Sequence, residues 1–199
     1  MRLAALLAAA AVTGLAACAT PTGPDTAGRF DAYEGTADLR GYDAVYVAPV
    51  TADEALLARI GARTLGPFDQ TRALSERDVA YQQRELAEEL TRQLGRVAEL
   101  RDAPGPGVLT VEAQLTALDA NLPTQAELAD QPGLDFVRSR SVGDAAARVR
   151  LSEDGRELAV IEDRAFRRNL NDPTVGVGVW NTANQFYDRF SRKVAALLA

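Results

Sequence analysis

Apolar and polar residues change period several times along this chain, and each change marks an element. Leu109, Val111, Ala113, Leu115 and Ala117 alternate with Thr110, Glu112, Gln114 and Thr116. A period of two over that length predicts a strand with one buried and one wet face. Asp154-Gly155 then separates two further runs, 145–152 and 157–166, and that dipeptide suits the left-handed backbone of a two-residue hairpin turn. With those two residues as the loop, Glu153 faces Arg156, Leu151 meets Leu158 and Val149 meets Val160. The opposite face would carry Arg148, Arg150, Glu157 and Asp163 as cross-strand or diagonal ion pairs. Residues 44–50, Ala-Val-Tyr-Val-Ala-Pro-Val, are apolar on both alternating faces, which predicts a central strand closed by Pro49.

Elsewhere the period is helical. Ser75 followed three places on by Asp78 is an N-terminal capping signal; Val79, Leu86, Leu90 and Leu94 recur at one- and two-turn spacings, and Gly95 offers a stop. Asn181 is expected to cap a second helix, whose apolar stripe is Ala183, Phe186, Tyr187, Phe190, Val194, Leu197 and Leu198, with Trp180 as a packing staple before it. A short helix is expected within 53–60, then a loop through Gly66-Pro67, and a short strand over 97–100 ahead of Pro104-Gly105-Pro106-Gly107. The order predicts an α+β domain: a mixed, mostly antiparallel sheet of four to five strands with two helices packed on one face. A right-handed crossover would place the Val45 strand parallel to a neighbour.

Ahead of the domain the pattern is of another kind. Arg2 is followed by an apolar run from Ala4 to Ala17 that ends Leu15-Ala16-Ala17-Cys18. A positive start, a short apolar core and small residues before a cut site describe a secretory signal peptide, too short to span a bilayer comfortably. The Leu15-Ala16-Ala17-Cys18 ending resembles the lipobox of bacterial lipoproteins. That resemblance implies signal-peptidase recognition of Leu15, Ala16 and Ala17, diacylglycerol on the Cys18 thiolate, and Cys18 as the first mature residue. Ala19 and Thr20, in place of Asp, imply sorting to the outer membrane and a site on its periplasmic face. The expected layout is a signal peptide over 1–17, the lipidated Cys18 with a Pro-, Gly- and Thr-rich flexible tether over 18–39, and a periplasmic α/β domain over 40–199.

Composition narrows the chemistry. About 180 residues after the signal suit one domain with one core, and 47% hydrophobic with 25% charged residues excludes wholesale disorder. The net charge of -6 argues against nucleic acid as partner. With no His and one Cys, imidazole catalysis, zinc sites and disulfides within the mature chain are excluded. No cofactor and no metal is expected, since Asp119, Asn121 and Asp172 lack calcium-loop spacing, and Gly176-Val177-Gly178 lacks the third Gly and the Lys of a phosphate loop.

Four segments taken together carry a family likeness: residues 41–50 (Gly-Tyr-Asp-Ala-Val-Tyr-Val-Ala-Pro-Val), Pro104-Gly105-Pro106-Gly107-Val108-Leu109 opening the alternating strand, Gly155-Arg156-Glu157-Leu158-Ala159 after the hairpin turn, and the Trp180-led final helix. In this order they resemble the lipoproteins of domain of unknown function 3313, over most of the mature chain. The resemblance implies a lipobox, a periplasmic α/β domain and no assigned biochemistry.

Two long connections, 119–144 and 167–179, are expected at the same end of the sheet, opposite the Asp154-Gly155 turn. Long connections commonly bind something. Arg138, Arg140, Arg167 and Arg168 fall on them and form a candidate basic patch for phosphate, sulfate or carboxylate groups. The functional expectation is a non-enzymatic lipoprotein, anchored to the lipid bilayer through acylated Cys18, that binds another envelope protein by the long-loop end or a sheet edge. The alternative is a periplasmic lipid or small-ligand binding protein with Phe186, Tyr187 and Phe190 lining a cavity. A carboxylate hydrolase is the weakest reading.

Overall fold

The computed structural model describes residues 29–61, 73–122, 141–165 and 178–199. The described residues hold seven strands: β1 (Ala32–Gly35), β2 (Ala44–Val47), β3 (Thr51–Ala52), β4 (Glu99–Leu100), β5 (Val108–Leu122), β6 (Ser141–Glu153) and β7 (Arg156–Arg164). The helices are α1 (Glu54–Leu57), α2 (Glu76–Leu94) and α3 (Asn181–Ala195). One mixed sheet runs in the order β1-β7-β6-β5-β2-β4, and β3 pairs with β5 further along that strand.

The α+β architecture is as expected, but the sheet is larger and less antiparallel. β1, β7, β6 and β5 pair antiparallel, whereas β2 pairs parallel with both β5 and β4, and β3 pairs parallel with β5. The additional strands are short. Two or four residues cannot show a period, so β1 and β3 leave no mark in the hydrophobic pattern.

The boundary expected at residue 40 lies too late. β1 pairs with β7 from Ala32 opposite Glu162 to Gly35 opposite Ala159, and Phe30 and Leu39 are buried in the core. The folded unit therefore includes the last part of the expected tether, while residues 19–28 and the signal segment lie outside the described residues.

α2 forms as its sequence dictates. The Ser75 hydroxyl accepts from the Asp78 backbone N–H, and the Asp78 carboxylate accepts from the Ser75 backbone N–H, a complete capping box. Val79, Leu86, Leu90 and Leu94 all face the core. Gly95 ends the helix without adopting a left-handed backbone (φ -65°). Its small size matters for another reason: a Cβ there would lie 3.0 Å from the Leu100 Cδ1, so Gly95 lets β4 return close beneath the helix.

α3 departs from expectation at its start. Asn181 is the first helical residue, Trp180 occupies the cap position, and its side chain makes no capping bond. The acceptor comes from β5: Asn121 Oδ1 accepts from the Thr182 backbone N–H at 3.0 Å, and Asn121 Nδ2 donates to the Thr182 hydroxyl at 2.8 Å. The predicted stripe is otherwise correct, with Ala183, Phe186, Tyr187, Phe190, Val194, Leu197 and Leu198 all buried.

Two irregularities set which side chains face in. On β5 the pairing to β6 shifts between Leu115 and Ala117, so Leu109, Val111, Ala113 and Leu115 point to the core before the shift and Leu118 and Ala120 after it. Ala117 is thereby displaced from the buried face expected for it. In the β6–β7 hairpin Glu153 faces Arg156 as expected, and Asp154 (φ 48°) and Gly155 (φ 77°) supply the turn. A shift after Ser152 then pairs Leu151 with Ala159 and Val149 with Ile161, instead of with Leu158 and Val160. One extra residue moves every later side chain of β7 to the other face. Asp163 turns inward and Glu162 turns out.

Both long helices lie against the inner face of the sheet and against each other, and the buried apolar side chains form one core. Stacked Phe186 and Phe190 (5.3 Å between centroids) and the edge-on contact of Phe30 with Phe190 (6.2 Å) fill the space under α3. No described helix is long and apolar enough to cross a membrane.

Candidate functional site

The strand phase that buries Leu109, Val111, Val149, Leu151 and Ile161 puts the alternate residues on the outer face, which neither long helix covers. Across it the register lines up Glu112, Arg150, Val160 and Glu34 in one row, and Gln114, Arg148, Glu162 and Ala32 in the next. Arg150 reaches Glu112 Oε2 with Nε at 2.7 Å and NH2 at 2.6 Å, and Arg148 Nε lies 3.4 Å from Glu162 Oε1. Arg148 and Arg150 lie on this face and are ion-paired across strands as expected, but to Glu162 and Glu112 instead of Glu157 and Asp163. Asp163 is absent from the face because the hairpin shift turns it inward.

A groove of about 430 Å³ opens between these rows and the strand ends, lined by Pro49, Thr51, Gln114, Arg148, Arg150 and Glu157 among others. Its lining is mainly ionic and polar. Both guanidinium groups are about half exposed and present planar donor forks, the glutamates offer acceptors, and the Ala48, Pro49 and Val160 side chains supply an apolar floor and rim. Exposed pairs of this kind contribute only about 0–1 kcal/mol each to stability, so opening them for a partner costs the fold little.

The rows continue toward the end of the sheet opposite the hairpin turn. Asp144 is 1% exposed and accepts from Arg164 through both carboxylate oxygens, with Nε at 3.0 Å from each. That contact raises the pKa of the Arg164 guanidinium further. Asp119 on β5 pairs with Arg59, just beyond α1. The Asn121 backbone N–H donates to the Val179 carbonyl at 2.7 Å, and the Ala165 N–H to the Ala145 carbonyl at 2.6 Å. The ends of β5 and β7, the start of β6, the α1 segment and the approach to α3 thus converge at one end, as the sequence implied. Arg138, Arg140, Arg167, Arg168 and Asp172 lie outside the described residues, as do Leu15, Ala16, Ala17 and Cys18.

On the inner face, Asp163 (5% exposed) accepts from Lys193 Nζ at 2.6 Å, and the same ammonium lies 5.3 Å from the Phe30 ring centroid. This pair holds α3 to β7 and Phe30 to both. Composition shows Lys193 to be the sole lysine, but its place in the core follows only from the hairpin shift. Phe186, Tyr187 and Phe190 pack ring to ring in the core. Among the described residues no three Asp or Glu gather as a metal site.

A parallel half-sheet beside an antiparallel hairpin, two helices on one face and an open polar face define an α+β domain whose accessible chemistry is ionic and superficial. The chain matches the family "protein of unknown function (DUF3313)" over residues 20–194, and it belongs to that family. No curated protein matches it. Two solved structures are similar in fold. A PelC variant from Paraburkholderia phytofirmans, a dodecamer, is 10% identical, with 82% of this chain and 95% of that chain covered and a TM-score of 0.42. A protein of the DUF330 family from Xanthomonas campestris is 9% identical, with 80% of this chain and 85% of that chain covered and a TM-score of 0.38.

Proposed function

We propose that this protein is a non-enzymatic lipoprotein of the bacterial envelope, anchored by acylated Cys18 to the periplasmic face of the outer membrane, and that the outer face of its sheet binds another envelope protein. One observation carries the partner surface: among the described residues the two long helices pack on one face of the sheet, and the other face presents paired Arg and Glu side chains around a groove. The sheet edges are poorer candidates. β4 is two residues long, begins with charged Glu99 and is followed by Arg101, the kind of blunted edge that discourages strand addition. The ring-to-ring packing of Phe186, Tyr187 and Phe190 favours a core role over a ligand cavity.

The anchor is supported by the signal and lipobox residues, and two or more acyl chains on Cys18 would hold firmly where one holds weakly. The test places a photo-crosslinking residue at Gln114 or Thr110 in intact cells. A single dominant protein captured there, and lost when Arg148 and Arg150 are both changed to Glu, is the expected result. Equal capture from a helix position such as Arg84 would refute the surface. Separately, Cys18→Ser is expected to lose the membrane fraction and keep an uncut signal; soluble, correctly processed mutant protein would refute the anchor.

A further inference from the structure

We infer that the domain sits with the corner where β1 joins the sheet toward the bilayer, and with the Asp154-Gly155 turn and the β4 edge directed away from it. The inference rests on the lipid anchor at Cys18 proposed above.

The geometry is set by where the chain enters the fold. Phe30 is buried, edge-on to Phe190 and under the Lys193 ammonium, and two residues later Ala32 pairs with Glu162. The described chain is thus pinned to the fold from Phe30 onward, at one edge of the sheet. Phe30 is the twelfth residue after Cys18. Whatever their conformation, twelve residues span at most roughly 40 Å.

The opposite corner is far away on that scale. Glu162 and Gly155 are seven residues apart along β7, which is about 23 Å at strand rise, and β4 lies five strand spacings from β1, about 24 Å more at right angles. The diagonal is therefore about 33 Å. Standing the domain on the far corner, with the β1 corner uppermost, would require the chain from Cys18 to Phe30 to stretch to most of its reach, which removes nearly all its conformations. With the β1 corner down, no stretch is required. The outer face then stands steeply to the membrane, open to a protein alongside, and exposed Val97 and Leu100 beside β4 point away from lipid.

The test uses the full lipidated chain in vesicles carrying a headgroup spin-labelled lipid as quencher, with a fluorescent maleimide on one introduced cysteine at a time. Asp31→Cys and Glu162→Cys mark the near corner; Arg156→Cys and Glu99→Cys mark the far one. The expected result is quenching at least threefold stronger for the near pair. Equal quenching at all four, or stronger quenching at the far pair, overturns the orientation while leaving the anchor intact. Lipidated chain that stays in the supernatant, or unlipidated chain 19–199 that stays on the vesicles, overturns the anchor and the orientation with it.

Discussion

Four buried polar atoms have no hydrogen-bond partner among the described residues: both amide atoms of Gln82, the Tyr187 hydroxyl and the Ser191 hydroxyl. All three side chains lie on the two helices that pack against each other. Leaving a buried donor or acceptor unpaired costs about 1–3 kcal/mol. Gln82→Met keeps the volume and removes both groups, so we expect it to stabilise the fold by about 1 kcal/mol in urea unfolding; a loss of stability would show that the amide has a partner. Burial also pushes the Tyr187 hydroxyl far above its usual pKa, with the nearby Glu85 charge adding to the effect. The sign follows from proton counting. Below pH 10 both folded and unfolded states keep the proton; above it the unfolded state releases it and the folded state does not, so stability falls as pH rises, by about 1.4 kcal/mol per unit. Tyr187→Phe is expected to be near neutral at pH 7 and to move alkaline unfolding to higher pH. An unchanged alkaline midpoint would contradict this.

At the level of elements, what was legible in the sequence was what is local. The Ser75 and Asp78 capping box, the α2 and α3 stripes and the Asp154-Gly155 turn each lie within one element or one turn, and each is found. The α3 cap could not be read this way. Its acceptor, Asn121, stands 61 residues before Thr182, and nothing near Asn181 signals that the bond is made elsewhere. The two pairing shifts were equally hidden, since a bulge is a relation between strands and leaves the residue pattern of either strand ambiguous. Without them the pattern puts Ala117 and Asp163 on the wrong faces, and it gives Arg148 and Arg150 their place on the outer face but not their partners, Glu162 and Glu112. The Asn121 contact is open to a direct check. Asn121→Ala removes the cap from α3, and a loss of about 1–2 kcal/mol is expected in thermal or denaturant unfolding, partly recovered by Asn121→Asp, which keeps an acceptor for the Thr182 N–H. Gly35 supplies a second. A Cβ there would lie 2.6 Å from the Ala159 Cβ, so Gly35→Val should detach β1 and raise amide exchange across residues 32–34 before any change in β5.

For the molecule as a whole, β1 changes what the minimal domain is. A chain beginning at residue 40, where composition shifts from Pro and Gly to apolar, lacks β1, Phe30 and Leu39. Truncating one buried Phe costs about 3–5 kcal/mol, a large part of a typical fold's stability of about 5–15 kcal/mol. We therefore expect chain 40–199 to unfold at clearly lower urea concentration than chain 29–199, measured side by side. Equal midpoints would return residues 29–39 to the tether. The strand escaped notice because it is short, lies at an edge and buries little of itself; its hold is the Phe30 side chain that precedes it.

The position of Lys193 has a practical consequence for finding whatever binds this protein. Its ammonium is the only side-chain amine in the sequence, it is 26% exposed, and it is committed to Asp163 and the face of Phe30. If Cys18 is the acylated first residue, the terminal amine lies at the bilayer. Reagents that join proteins through primary amines would then find almost no handle here, and would return this chain alone however firmly it was held in an assembly. Carboxylate-directed or light-activated reagents have 28 acidic side chains, or any chosen position, to work with.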